Sequence, residues 1–132
     1  MLKADIYGME VPMQGSPYTY LVYRTEFGRG ILADIQEAYS GDVPDMSILL
    51  QVAWAMARTF DDAVPPYADW LRGFDPKEFA LGDARAMEVI DKAASAELFR
   101  VRKTGKAKRR IARAVGRMAQ RIGCAADRVL AR

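Results

Sequence analysis

Histidine is absent from the 132-residue sequence and cysteine occurs once, at Cys124. The first absence excludes histidine-based catalytic triads and histidine-containing zinc sites. The second excludes an intramolecular disulfide, and the two together exclude a cysteine–histidine nucleophile. Long apolar runs are also missing. The longest, Ile48 to Ala57, is interrupted by Gln51 and is about half of the roughly 18 to 20 residues that cross a bilayer. The opening Met1-Leu2-Lys3-Ala4-Asp5 lacks the charged-then-apolar layout of a secretory leader. Together with the lone cysteine this gives the expectation of a cytoplasmic protein with no membrane partner. Aromatic residues stop at Phe99, which leaves the last quarter of the chain without side chains for stacking on nucleic-acid bases.

Apolar residues, by contrast, are plentiful. At 51% of the chain they suffice for one packed interior at this length. The formal charge of +3 conceals a split. Residues 1–98 hold eight Lys and Arg against sixteen Asp and Glu, a net −8, whereas residues 99–132 hold twelve against Asp127 alone, a net +11. An acidic body with a basic tail points to a partner of opposite sign.

The pattern predicts an α+β, mainly α-helical fold, with a small N-terminal β element over 1–23, a helical body over 24–103 and a basic helical segment over 104–132. Ala4, Ile6, Val11 and Met13 flank Tyr7-Gly8-Met9-Glu10, the layout of a hairpin with glycine in its turn. Tyr18-Thr19-Tyr20-Leu21-Val22-Tyr23 is aromatic and β-branched and reads as a third strand, its tyrosines filling a sheet face. A bundle of about five helices is expected to follow. The first, over 26–39 with Thr25 as cap, carries Phe27, Ile31, Ile35 and Ala38 on one face and Asp34 and Glu37 on the other. The second, over 46–60 with Asp45 as cap, is apolar nearly all round and must be surrounded, so Leu49, Val52, Trp54 and Met56 are expected inside. Pro66 opens a short helix with Trp70 and Leu71, Asp75-Pro76-Lys77-Glu78 is a further start signal, and a helix over 84–102 turns Met87, Ile90, Ala94 and Leu98 inward. Beyond Thr104-Gly105, Ile111, Val115, Met118 and Ile122 form an apolar seam. Arg109, Arg113, Arg117 and Arg121 recur beside it at every fourth residue.

Chemical motifs are sparse. No phosphate loop or dinucleotide fingerprint is present, and Asp42/Asp45 and Asp61/Asp62 fall at helix boundaries, where aspartate caps and turns the chain. No catalytic, cofactor or metal residues are therefore assigned, and the chain is read as a non-enzyme. The basic tail offers phosphate or acidic-partner contacts through Arg109, Arg110, Arg113, Arg117 and Arg121. A nucleic acid, the acidic body itself and an acidic or apolar protein surface all remain open as its partner.

Several strings resemble the tail assembly chaperones of long-tailed bacteriophages and prophages. They are the turn Tyr7-Gly8-Met9-Glu10-Val11-Pro12, the segment Tyr23-Arg24-Thr25-Glu26-Phe27-Gly28-Arg29, the apolar helix Leu49 to Arg58 centred on Trp54, and Pro66-Tyr67-Ala68-Asp69-Trp70-Leu71. The match covers about residues 2–98 and leaves the basic tail outside. The resemblance implies a non-catalytic assembly factor, made in the bacterial cell and absent from the finished virion. Such a factor coats the tape-measure protein and helps recruit tail-tube subunits; many exist also in a longer, frameshifted form. Methionine repacks readily around varied partners. On this reading Met56, Trp70, Met87 and Met118 are candidate client contacts, with core packing as the alternative, and homo-oligomerisation is open.

Overall fold

The computed structural model describes residues 1–100. The basic segment expected over 104–132, with Met118, Arg109, Arg110, Arg113, Arg117 and Arg121, lies outside the described residues. Strands β1 (Leu2–Ile6) and β2 (Met9–Met13) pair antiparallel, Leu2 opposite Met13 and Ile6 opposite Met9. The connecting turn places both Tyr7 (φ 50) and Gly8 (φ 80) at positive φ, the two-residue form whose twist matches that of paired strands. Alternation along the ribbon puts Ala4, Ile6, Val11 and Met13 on its buried face.

The third strand expected over 18–23 is instead the middle of helix α1 (Pro17–Phe27). The reason lies in the residues just before it. The Ser16 hydroxyl accepts from the Tyr18 N–H at 3.2 Å, the Thr19 hydroxyl accepts from the Ser16 N–H at 3.1 Å, and Pro17 supplies a helical φ at the first turn. That start outweighs the β preference of the tyrosines. With helical spacing, Thr19, Val22 and Tyr23 turn inward while Tyr18, Tyr20 and Leu21 face out. The boundary expected between residues 23 and 24 thus falls inside a helix.

The helix expected over 26–39 is two pieces. Gly28 adopts φ 68 and its N–H donates to the Arg24 carbonyl at 2.8 Å, a left-handed cap that ends α1. Thr25 is an exposed residue near the end of α1 rather than a cap. After Gly30 the chain restarts as α2 (Ile31–Ala38). Asp34, expected on the outer face, is only 2% exposed. Its burial is compensated from two sides: the Tyr23 hydroxyl donates to Oδ2 at 2.7 Å and Arg29 Nε sits 2.8 Å from Oδ1. The Gln51 side-chain amide lies 2.9 Å from the same hydroxyl, so the cluster joins α1, α2 and the helix that carries Gln51.

Helix α3 (Met46–Phe60) has the expected bounds, with the Asp45 carboxylate accepting from the Ser47 N–H. Its residues Leu49 and Val52 to Ala57 are buried, and it packs against β2, α1, α2, the short α4 (Tyr67–Arg72) and α5 (Ala84–Glu97). Asp75 starts only a single 3-10 turn, Pro76–Glu78, because no apolar helical period follows it. Helix α5 (Ala84–Glu97), capped by Asp83, lies against β1 and α3. It stops five residues short of its expected end at 102: the Leu98 N–H closes the last turn and Phe99 folds into the core. The result is a two-stranded antiparallel sheet followed by five α-helices, an α+β fold that is mainly helical. Among the described residues, no helix is long and apolar enough to cross a membrane.

Aromatic edges link these pieces. Phe79 meets Tyr7, which meets Phe74, and the contacts continue through Trp70 and Tyr67 to Phe27 and Trp54, with ring centroids between 4.8 and 6.4 Å apart. Burial raises the phenol pKa of Tyr7, Tyr23, Tyr39 and Tyr67, aided respectively by the negative charges of Asp83, Asp34, Asp91 and Asp45; Tyr67 is pushed up to about 12. A phenol whose pKa is raised by folding holds its proton more tightly in the native state, so stability falls wherever the unfolded chain alone has lost it. The urea midpoint should therefore decline above about pH 10, where unfolded tyrosine ionises. Tyrosinate absorbance from these four side chains should rise together with unfolding. A midpoint flat from pH 9 to 12 would contradict the placement of these hydroxyls.

Candidate binding cleft

The end of α5 stops beside the start of α1. Between them and α2 lies an open cleft of about 290 Å³. Its floor is tied by Glu97. One carboxylate oxygen accepts from the Gly15 N–H at 3.3 Å and lies 3.6 Å from the Met1 ammonium. The other sits 3.3 Å from Arg100, whose guanidinium also reaches the Gly15 carbonyl at 3.5 Å. Gly15 is required by this close approach, since a Cβ there would come within 2.2 Å of the Glu97 carbonyl oxygen.

Ile31, Ile35, Leu98 and Phe99 supply apolar walls. On the rim stand Tyr20, 63% exposed, and Leu32, 44% exposed. Leu21 (59% exposed) and Tyr18 are further exposed large side chains of α1. Side chains of this size are costly to leave in water, and several together mark a place where another surface sits. The chemistry on offer is therefore reception of apolar side chains, with Glu97 and Arg100 as polar groups at one end.

The residues singled out as client contacts lie elsewhere. Met56 in α3, Trp70 in α4 and Met87 in α5 are all buried and do not converge on one surface. Their positions on the inward stripe of each helix give them the core-packing role that stands as the alternative to client contact. Trp70 does border a smaller hollow, about 120 Å³, between β2 and the end of α3. The carboxylate pairs likewise serve the backbone: Asp45 caps α3, and Asp61 Oδ1 accepts from the Ala63 N–H at 2.9 Å. Among the described residues, no cluster of three or more His, Cys, Asp or Glu is placed to hold a metal ion.

Sequence reasoning missed the rim residues. Composition alone puts Tyr20 on a sheet, and nothing in the helical pattern distinguishes Leu32. The signal that would have found them is Ser16-Pro17-x-Thr19: once it is read as a helix start, Tyr20 and Leu21 move to the outer face. No family model, curated protein or solved structure matches the chain.

Proposed function

We propose that this protein is a non-catalytic tail assembly chaperone, acting in the bacterial cytoplasm, that holds helical segments of a tape-measure protein and helps bring tail-tube subunits to them. The observation that carries this reading is the apolar cleft with its exposed rim of Tyr20 and Leu32. A client helix presents aliphatic side chains at three- and four-residue spacing, and a cleft of this volume receives such side chains one or two at a time. Contacts of that kind tolerate varied sequences, which a chaperone of a long helical client needs. The strings that prompted the resemblance contribute framework: Trp54 and Trp70 both pack against Tyr67, with centroids 6.2 and 6.4 Å away. The net charge of residues 1–100 is negative, which weighs against a nucleic acid as the partner of this part of the chain.

Co-expression with the tape-measure protein of the same gene cluster tests the proposal. The client should stay soluble and co-purify with the chain. Leu32→Asp and Tyr20→Asp alter exposed positions and should fold normally. Each should weaken capture by roughly tenfold or more, as expected for losing an anchor worth about 1.5–3 kcal/mol. Failure to associate, or capture indifferent to both changes, would overturn it.

A further inference from the structure

We infer that two copies of this chain pair edge to edge through β1, in the antiparallel register that sets Lys3 of each copy opposite Asp5 of the other. The ribbon's own register decides which backbone groups are available. Ile6 and Met9 flank a two-residue turn and so exchange hydrogen bonds, and alternation makes Ala4–Val11 and Leu2–Met13 the other bonded pairs. The N–H and C=O groups of Lys3 and Asp5 on β1, and those of Glu10 and Pro12 on β2, therefore point away from the ribbon. The two edges are not equivalent. On β2, Pro12 has no N–H to offer, and the next outward N–H, that of Gln14, donates to the Met56 carbonyl at 3.0 Å. On β1 both donors are present, and no hydrogen bond among the described residues takes them. Helix α3 packs on β2 and α5 on β1, covering the face of Ala4, Ile6, Val11 and Met13, while the Lys3 and Asp5 side chains are exposed.

Charge selects the occupant. Within the hairpin Asp5 stands directly opposite Glu10, an unfavourable pair of like sign, and among the described residues it has no cation of its own. Lys3 reaches Glu10 diagonally, with Nζ 3.7 Å from Oε1. A lysine on an edge strand ordinarily discourages pairing, and a parallel, in-register neighbour would bring lysine against lysine here. The antiparallel register does the reverse. Each Asp5 receives a lysine from the second copy, and both Lys3–Asp5 pairs exchange backbone N–H···O bonds as well. Ala4 meets Ala4 on the two-fold axis, at a non-hydrogen-bonded position where Cα atoms approach to about 4.5 Å and a small side chain fits. A foreign strand would find the same backbone groups, but it would need opposite charges two residues apart, which this strand supplies to itself. The two ribbons then form one wider sheet, and neither the cleft nor a client takes part.

A charge exchange tests the register. Sedimentation of the full-length chain, from micromolar to about millimolar concentration, should show a monomer–dimer equilibrium. Asp5→Lys and Lys3→Asp alter exposed positions, so each variant should keep the fold. Each alone sets like charges against each other at both pairs and should raise the dimer Kd by about tenfold or more. Mixing the two variants restores opposite charges across the axis and should restore the dimer. Hydrogen exchange at the Lys3 and Asp5 amides should slow as the concentration of the unaltered chain rises. A chain that stays monomeric throughout would overturn the inference. So would a dimer indifferent to both substitutions, a mixture no more dimeric than its components, or amides equally protected at every concentration, since the edge is then covered within one copy. No tape-measure protein enters the experiment, so its outcome is independent of the chaperone reading.

Discussion

Val52→Asp should remove most of the stability of the body. Val52 lies in the middle of α3 with 1% of its surface exposed, on a helix that packs against β2 and the other four helices. A carboxylate introduced there has no solvent and no cation waiting for it. Protonation avoids the buried charge, but neutral pH lies about 3 units above the unfolded carboxyl pKa, so holding the proton costs roughly 4 kcal/mol, and burying the neutral carboxyl without a partner adds to it. Domains of this size have about 5–15 kcal/mol in total. Val52→Ala, which removes about two methylene equivalents and leaves a small cavity, should cost only about 2 kcal/mol. The sign of the pH effect separates the two variants. A group whose native pKa is raised is destabilising above its unfolded value and ceases to be so as pH falls. The Asp variant should therefore regain stability between pH 7 and about pH 4 relative to the Ala variant. Urea midpoints across that range measure it; a midpoint unchanged by Val52→Asp would show that α3 does not occupy the centre.

Gly15→Ala should be the most damaging glycine-to-alanine change among the described residues. The new Cβ would lie 2.2 Å from the Glu97 carbonyl oxygen, 2.7 Å from its carbon and 2.9 Å from Leu98 Cδ2. Two of those atoms are backbone at the end of α5, so relief requires the loop and the helix end to part. Parting them also breaks the Gly15–Glu97 hydrogen bond and the Arg100 contact beneath the cleft. The expected cost is about 3 kcal/mol, at the upper end for overpacking, and a fall in Tm of roughly 10–15 °C. Gly28→Ala is the control. Its φ of 68 disfavours a side chain but no atom lies within 4 Å of the added Cβ, so its cost is about 1 kcal/mol, from backbone conformation alone. Thermal melts in which Gly28→Ala is the worse of the two would contradict the close approach at Gly15.

Local signals account for what the sequence made legible. The hairpin follows from Gly8 between two alternating runs, and α3 follows from Asp45 and an apolar stretch too continuous to lie on a surface. Residues 17–27 were harder. Their β-branched and aromatic composition states a preference for strand, whereas the capping pattern before them uses threonine at a position where glutamate or glutamine is the familiar signal. The helix period alone puts Asp34 outside, because it says nothing of Tyr23 or Arg29, which make its burial tolerable. The cleft was illegible for a related reason. It is assembled from residues 15–20, 31–35 and 97–100, and no local window contains more than one of those three walls.

The pairing of β1 with α5 also fixes an order of events during synthesis. The strand is made first, and the helix that covers it is the last described element to be made. While the ribosome is still adding residues 84–97, Ile6 and Ala4 lack part of their eventual cover, and Glu97 has yet to reach Gly15. A nascent chain therefore cannot close its interior piece by piece; the body locks only after its final helix has emerged. Until then it displays the apolar surface that cellular quality control recognises.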